Sequence, residues 1–299
     1  MRSLFVLVAF GLIVGCGTKP PADTSDTRET DKNTPKAIAT AKPEPETTKP
    51  SRSIPDDLPD AAARKTAVAR LKAIHKAAWN FHDAVGHFPA GVIATKDAVG
   101  LSWRVQLLPY LGHEDLFKQF KLNEAWDSDH NKKLLDKMPD VFASAGKPTE
   151  KGNTFVRMPI GFAPRFRDLL HGQKLPPFTR EPGQPAFGLG VTSISDGSVN
   201  TILFAEFATA VPWTKPDEAD QLPPVNPKLK TGTPIVVPLP KLGGPFDGGF
   251  HAILADGVTV FYKGTLKPTD LQPLLTPAGG ERCDPQPAEH VLYIVPWSK

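Results

Sequence analysis

AAARKTAVARLKAIHKAAWNFHDAVGHFP, residues 61–89, decides how the rest of the chain is read. Val68, Leu71, Ile74, Ala78 and Phe81 recur at helical spacing and make one apolar stripe, while Arg64, Lys65, Arg70, Lys72 and Lys76 lie mostly off it. Asp60 is placed to act as N-cap, its carboxylate accepting from the N–H groups that the first turn leaves open. The helix is expected to stop between Asp83 and Gly86, because Gly86 can take a left-handed cap conformation and Pro89 cannot continue a helix. His75 and His82 share a face with Trp79. Two helical turns separate such histidines by about 10 Å, too far for one metal ion, so packing at the helix surface or end is expected of them.

Upstream the chain changes character. Met1, Arg2 and Ser3 precede an apolar run, Leu4 to Val14, too short to cross a bilayer as a helix but suited to a secretory signal. It ends in Ile13-Val14-Gly15-Cys16, which resembles the bacterial lipobox, whose cysteine is acylated and becomes the mature N-terminus. Residues 1–15 are therefore expected to be a lipoprotein signal peptide and Cys16 the lipidation site. An ordinary signal peptide with an incidental cysteine is the alternative. Acyl chains would hold the protein firmly, at about 0.8 kcal/mol per buried methylene. Gly17 follows where some inner-membrane lipoproteins carry Asp, so the expected location is the periplasmic face of the outer membrane or the cell surface. Residues 16–59, rich in Thr, Pro, Lys, Glu and Asp, cannot bury enough apolar surface to offset ordering and are expected to form a disordered tether. Such a tether would reach on the order of 35 Å as a coil and up to roughly 130 Å if extended.

With 299 residues, 40% of them hydrophobic, the chain can bury a real core, and residues 60–299 are read as a single domain. A formal net charge of +3 leaves no large field of one sign, which disfavours nucleic acid as a partner. Once Cys16 is acylated only Cys283 remains, so no internal disulfide can form; its polar, proline-flanked surroundings make it an incidental thiol.

Downstream of the helix, short strands and loops are expected. Leu101 to Leu111 is compatible with a strand or a short helix broken at Pro109, and Ser128 can cap a helix over Asp129 to Lys137. Asp127, Asp129 and Asn131 resemble the first half of a calcium loop without its glycine and distal glutamate, so capping is the expected role and no metal site is assigned. Phe155 to Phe162 and Ala186 to Ile194 are apolar enough for strands. Asp196-Gly197-Ser198 reads as a turn into a strand from Thr201 to Glu206 whose two faces are both apolar, which suggests a central strand. Phe250 to Ala255 and Val258 to Tyr262 flank Asp256-Gly257, the dipeptide suited to a type I′ turn; that turn would set Ile253 opposite Val260 and His251 opposite Tyr262. Turn chemistry accounts for Asp196, Gly197, Asp256 and Gly257. The long proline-rich stretch from Pro212 to Gly244, with Trp213, is the expected interaction surface.

Catalytic signatures are lacking. His113-Glu114 opens like a zinc-protease helix, but Phe117 stands where the second histidine belongs, and no nucleophile elbow, phosphate loop or dinucleotide fingerprint occurs.

Several blocks then carry a resemblance. Leu71 to Ile74, Asn80 to Ala84, Gly86 to Pro89, Ser102-Trp103-Arg104-Val105, Leu107 to Leu111, Trp126 to Asn131, Ile194 to Gly197 with Asn200 to Leu203, and Ala255-Asp256-Gly257 follow in the order seen in a large bacterial family of unknown function. Its typical members begin with a pilin-like helix related to type II secretion pseudopilins, and it also carries a bacterial solute-binding label. The resemblance spans about residues 68–281. The pilin cleavage motif is replaced here by the lipobox, and Phe246 stands where many relatives have a histidine ten positions before the terminal Asp-Gly pair. The resemblance implies an α+β fold, a long N-terminal amphipathic helix packed on an antiparallel sheet in pilin-like fashion, preceded by the tether. The expected function is a non-catalytic, lipid-anchored envelope protein with a binding or assembly role and no cofactor. Two alternatives stand beside it: a solute- or glycan-binding module using Trp126, Asp127, His130 and Trp213, or a hydrolase whose site, from Asp127, His130 and Asp196 or Asp256, assembles in space.

Overall fold

The computed structural model describes residues 49–95, 98–159, 181–186, 188–217, 241–277 and 289–297. The expected signal peptide, Cys16, most of the tether, the middle of the long proline-rich stretch and Cys283 lie outside the described residues.

Helix α1 spans Ala61–Val85 and buries Val68, Leu71, Ile74, Ala77, Ala78 and Phe81, the stripe expected from the spacing. It ends as expected at Gly86, whose φ of 87° lets its N–H reach the carbonyl of His82. Its start differs. Asp60 takes a left-handed conformation, φ 64°, and its side chain makes no cap hydrogen bond; the Ala61 N–H instead donates to Leu58 O at 3.2 Å. A turn through Pro55 to Leu58 satisfies the helix start, which leaves the Asp60 carboxylate without that task. Ser51, Ile54 and Leu58, expected to belong to the tether, pack against the domain instead. Ser51 bridges in parallel to Tyr293, Ile54 is buried, and Leu58 packs on the same cluster. Ile54 and Leu58 supply the apolar surface that residues further upstream lack.

Beyond α1 come a small hairpin of β1 (Val92–Thr95) and β2 (Ala98–Leu101), helix α2 (Trp103–Gln106), a 3-10 turn over Leu108–Leu111, and helix α3 (Glu114–Phe117). Pro109 and the Ser102 cap, whose side chain accepts from Arg104 N, settle the Leu101 to Leu111 region as helical. The main sheet has five antiparallel strands in the order β3-β4-β5-β6-β7: β3 Asn153–Arg157, β4 Ile202–Pro212, β5 Gly249–Leu254, β6 Thr259–Lys263 and β7 Val291–Val295. Helix α4 (Pro268–Leu275) follows β6.

Helix α1 covers one face of this sheet, packing with Leu203, Phe204, Ile253 and Ala255. Leu271, Leu274 and Leu275 of α4 cover the other, over Ile202, Ala205, Phe207, Ala252 and Leu254. Covered on both faces, β4 and β5 read as continuous apolar runs rather than alternating ones. Truncating a fully buried member such as Leu71 to Ala would cost about 2–5 kcal/mol.

Three further expectations are corrected. Ala186 to Ile194 is not a strand: Pro185 makes one isolated bridge to Val92, and Val191–Ser193 is a 3-10 turn. The strand expected over Phe155 to Phe162 is β3, which ends at Arg157, and residues 160–162 lie outside the described residues. The β5–β6 register is shifted by one, with Ile253 opposite Thr259, Ala252 opposite Val260 and His251 opposite Phe261. The turn explains the shift. Gly257 has φ 92° but Asp256 does not have positive φ, Gly257 N donates to Leu254 O, and Leu254 N donates to Val258 O. These are the marks of a three-residue loop ending in a left-handed glycine, not of a type I′ turn.

Candidate functional site

Two buried polar constellations explain most of the charged residues in the core. On β3, Val156 and Arg157 form an outer strand whose unpaired groups need partners. Arg104, wholly buried on α2, donates to Val156 O through Nε at 3.1 Å and Nη2 at 2.6 Å. Asp217 accepts from Met158 N at 2.9 Å, from Arg104 Nη2 at 2.9 Å, from Arg157 Nε at 3.1 Å and from Trp103 Nε1 at 2.7 Å. Burial opposes ionisation of Asp217, but Arg104 and Arg157 outweigh it and hold the carboxyl below its usual range. The Ser102-Trp103-Arg104 block is thus a device for closing a sheet edge, with Ser102 Oγ donating to Trp213 O at 2.8 Å.

The second constellation lies under the N-terminal part of α1. Glu206 Oε2 accepts from His251 N and from His251 Nδ1, both at 2.8 Å, and His251 Nε2 accepts from the Tyr293 hydroxyl at 2.6 Å. The carboxylate fixes which ring nitrogen carries the proton. Burial, opposed by Arg64 and supported by Glu206, pushes the Tyr293 pKa up to about 12. Phe246 closes the other side of the His251 ring at 4.9 Å, edge to face. With His251 and Tyr293 sealed from solvent, this is a core brace.

The proposed ligand residues fall elsewhere. Trp213 is fully buried, donating to Leu135 O at 3.1 Å and stacked on Phe142 at 5.9 Å. It cannot face a ligand: β4 runs on to Pro212 and carries Trp213 into the core, which overturns its place on an exposed loop. Trp126 is half-buried on the same core, with Lys215 Nζ 5.9 Å from its ring. His130 is held by Gln119 O at 2.8 Å and Asp127 is exposed. Around them, buried Asn131 ties the loop together, exchanging hydrogen bonds with Lys121 at 3.0 Å, while Ser128 Oγ accepts from Asn131 N at 3.1 Å. The short helix here is a 3-10 helix, Asn131–Lys137, starting two residues later than expected. Asp256 N donates to Ser198 O at 3.2 Å, so the two Asp-Gly turns are neighbours, and Asn200 Nδ2 donates to Asp196 O at 2.8 Å. No hydrogen bond or ion pair among the described residues joins Asp127 or His130 to either turn. Nor, among the described residues, do three or more His, Cys, Asp or Glu side chains gather as a metal site.

What the structure does assemble is a recess of ≈ 300 Å³ where α1 crosses the Asp256-Gly257 turn, lined by His75, Lys76, Trp79, Asn80, Ala255, Asp256 and Trp297. Helical spacing sets His75, Trp79, Lys76 and Asn80 side by side. The Trp79 indole N–H lies 3.1 Å from Ala255 O and 3.0 Å from His75 Nε2, and His75 Nε2 lies 3.0 Å from Ala255 O, so one carbonyl pins the helix to the hairpin. Burial lowers the His75 pKa, against the raising pull of the Ala255 carbonyl and Asp256, so His75 is neutral at pH 7. Trp297 leans over the turn with its ring 5.1 Å from His75. Gly257 permits this, for a Cβ there would meet the Trp297 ring at 2.8 Å and His75 Cε1 at 3.1 Å. Lys72 Nζ donates to Pro296 O at 2.7 Å and stands 5.8 Å over the Trp297 ring. The helical His/Trp spacing was visible in the sequence; Trp297, more than two hundred residues away, carried no signal linking it to them.

Residues 60–230 match the family described as protein of unknown function DUF1559 and labelled SBP_bac_10. No curated protein and no solved structure matches the chain.

Proposed function

The chain belongs to the DUF1559 family of proteins of unknown function, and on that footing we propose that it is a non-catalytic, lipid-anchored cell-envelope protein that binds a partner through the recess over the Asp256-Gly257 turn. The observation that carries this reading is the recess itself. Two indole rings and a carboxylate converge there on a rigid junction of helix and hairpin, the concave, largely aromatic surface with a few polar groups that ligand sites favour. Among the described residues, Asp217 bridges two arginines, and Glu206, His251 and Tyr293 satisfy one another.

In this reading α1 is the soluble half of a pilin-type helix laid on its sheet. Cys16 carries the acyl anchor in place of an apolar stem, and the residues before Ser51 serve as tether. Among the described residues no helix is long and apolar enough to cross a membrane. Growth with a labelled fatty acid tests the anchor: the parent chain takes up label and fractionates with membranes, and Cys16→Ser loses both. An unlabelled parent, or a Cys16→Ser chain still membrane-bound, would refute it.

A further inference from the structure

We propose that the recess takes one ring of an uncharged saccharide, with Trp79 and Trp297 as its apolar walls and Lys76, Asn80 and Asp256 as its hydrogen-bonding rim. This rests on the recess being the binding site, and adds the class of ligand.

The walls are fixed before any ligand arrives. The Trp79 N–H is committed to Ala255 O, and its half-buried ring, packed against Phe88 at 5.2 Å and His82 at 5.4 Å, is held in place where it lines the recess. Trp297 rests on Gly257 and His75, so little ordering is left for a ligand to bring about. The rim offers donors and acceptors together. The side chains of Lys76 and Asn80 are exposed and make no hydrogen bond among the described residues. Asp256 spends one oxygen, Oδ1, on Val258 N at 3.0 Å and keeps the other for a ligand. Vicinal hydroxyls on a ring of apolar C–H faces both donate and accept, and match that mixture.

Charge separates the remaining candidates. Aromatic walls beside a carboxylate would also suit an organic ammonium, but Lys76 on the rim and Lys72, outside the lining with its Nζ 5.8 Å from the Trp297 ring centre, set two positive charges against one Asp256. Neutral His75 adds nothing to offset them. An anion gains from the lysines but meets the Asp256 carboxylate on the turn. A wholly apolar ligand would strip water from three polar groups without replacing it. A volume of ≈ 300 Å³, at the low end for ligand sites, admits about one ring.

The test is calorimetric and fluorimetric titration of the full chain with N,N′,N″-triacetylchitotriose, cellotriose and mannotriose, and in parallel with tetramethylammonium and acetate. At least one trisaccharide should bind saturably and weakly, with Kd on the order of 1 mM. Trp297→Ala should weaken that binding by roughly 10-fold or more. Asp256→Asn and Asn80→Ala should each weaken it several-fold, and Trp126→Phe should leave it unchanged. Asn80→Ala alters only an exposed helix position, so it keeps the test valid if Trp297→Ala unfolds the turn. Tetramethylammonium or acetate binding with this same dependence, and no trisaccharide binding, overturns the saccharide class while leaving the recess as the site. Silence from all five probes overturns both, as does trisaccharide binding that these substitutions do not touch.

Discussion

Replacing Asp217 by Asn removes the carboxylate that Arg104, Arg157, Trp103 and the Met158 N–H share at 2.7 to 3.1 Å. Arg104 has no exposed surface and Arg157 very little, so the two guanidinium charges cannot turn to water when their common partner is neutralised. Breaking a buried pair from one side costs about 3–5 kcal/mol, because the remaining charge stays desolvated. Against a total stability of about 5–15 kcal/mol that is about a fifth or more of the whole. For a domain of this size each kcal/mol moves Tm by about 2–4 °C, so a drop of roughly 6–20 °C is expected. Urea unfolding should show a lowered midpoint at unchanged slope, the mark of lost stability rather than a changed denatured state. Adding Arg104→Met to Asp217→Asn should cost less than the sum of the two single substitutions, since the two side chains share hydrogen bonds at 2.9 and 3.2 Å and their losses couple. A loss under about 1 kcal/mol for Asp217→Asn, or strict additivity in the double variant, would refute the reading of Asp217 as the closure of the sheet edge.

Gly257→Ala combines a positive φ with a Cβ 2.8 Å from the Trp297 ring; it should cost about 1–3 kcal/mol and shift Trp297 fluorescence to the red as the ring lifts off the turn. The His75 pKa lies below its ordinary 6.5, so the unfolded chain binds a proton the folded one does not; stability should fall as the pH drops below about 6.5, and His75→Gln should flatten that part of a Tm-versus-pH curve. Asp217, also held below its ordinary value, contributes stability that is complete above about pH 4 and lost as the pH falls through its folded-state pKa, which Asp217→Asn removes from acid-unfolding profiles. Trp213→Ala should cost about 3–5 kcal/mol in urea unfolding, as a fully buried ring, and Trp126→Ala distinctly less.

Local patterns carried the parts of the fold that local physics decides. The stripe from Val68 to Phe81, the stop at Gly86 and the two-sided apolar character of β4 follow from spacing and glycine geometry within a few residues. The hairpin was legible as a hairpin, but its register turned on whether Asp256 or only Gly257 took positive φ, which the dipeptide does not decide. The start of α1 does not follow from its sequence because a backbone turn from Leu58 does what an Asp60 side chain could have done. Trp213 looked exposed in its proline-rich company; its partners Leu135 and Phe142 are some seventy residues upstream. The recess was half visible, since His75, Lys76, Trp79 and Asn80 share a helix face. Its other wall, Trp297, is joined to them only by the sheet order that brings β7 beside β6.

The chain has five tryptophans, at 79, 103, 126, 213 and 297, and each gives one indole N–H resonance. Recording those resonances on the full chain as N,N′,N″-triacetylchitotriose, cellotriose and mannotriose are added together tests the recess most directly. Shifts at Trp79 and Trp297, with Trp103, Trp126 and Trp213 unmoved, are the predicted result. Shifts confined to Trp126 or Trp213, or none at Trp79 and Trp297, would contradict it.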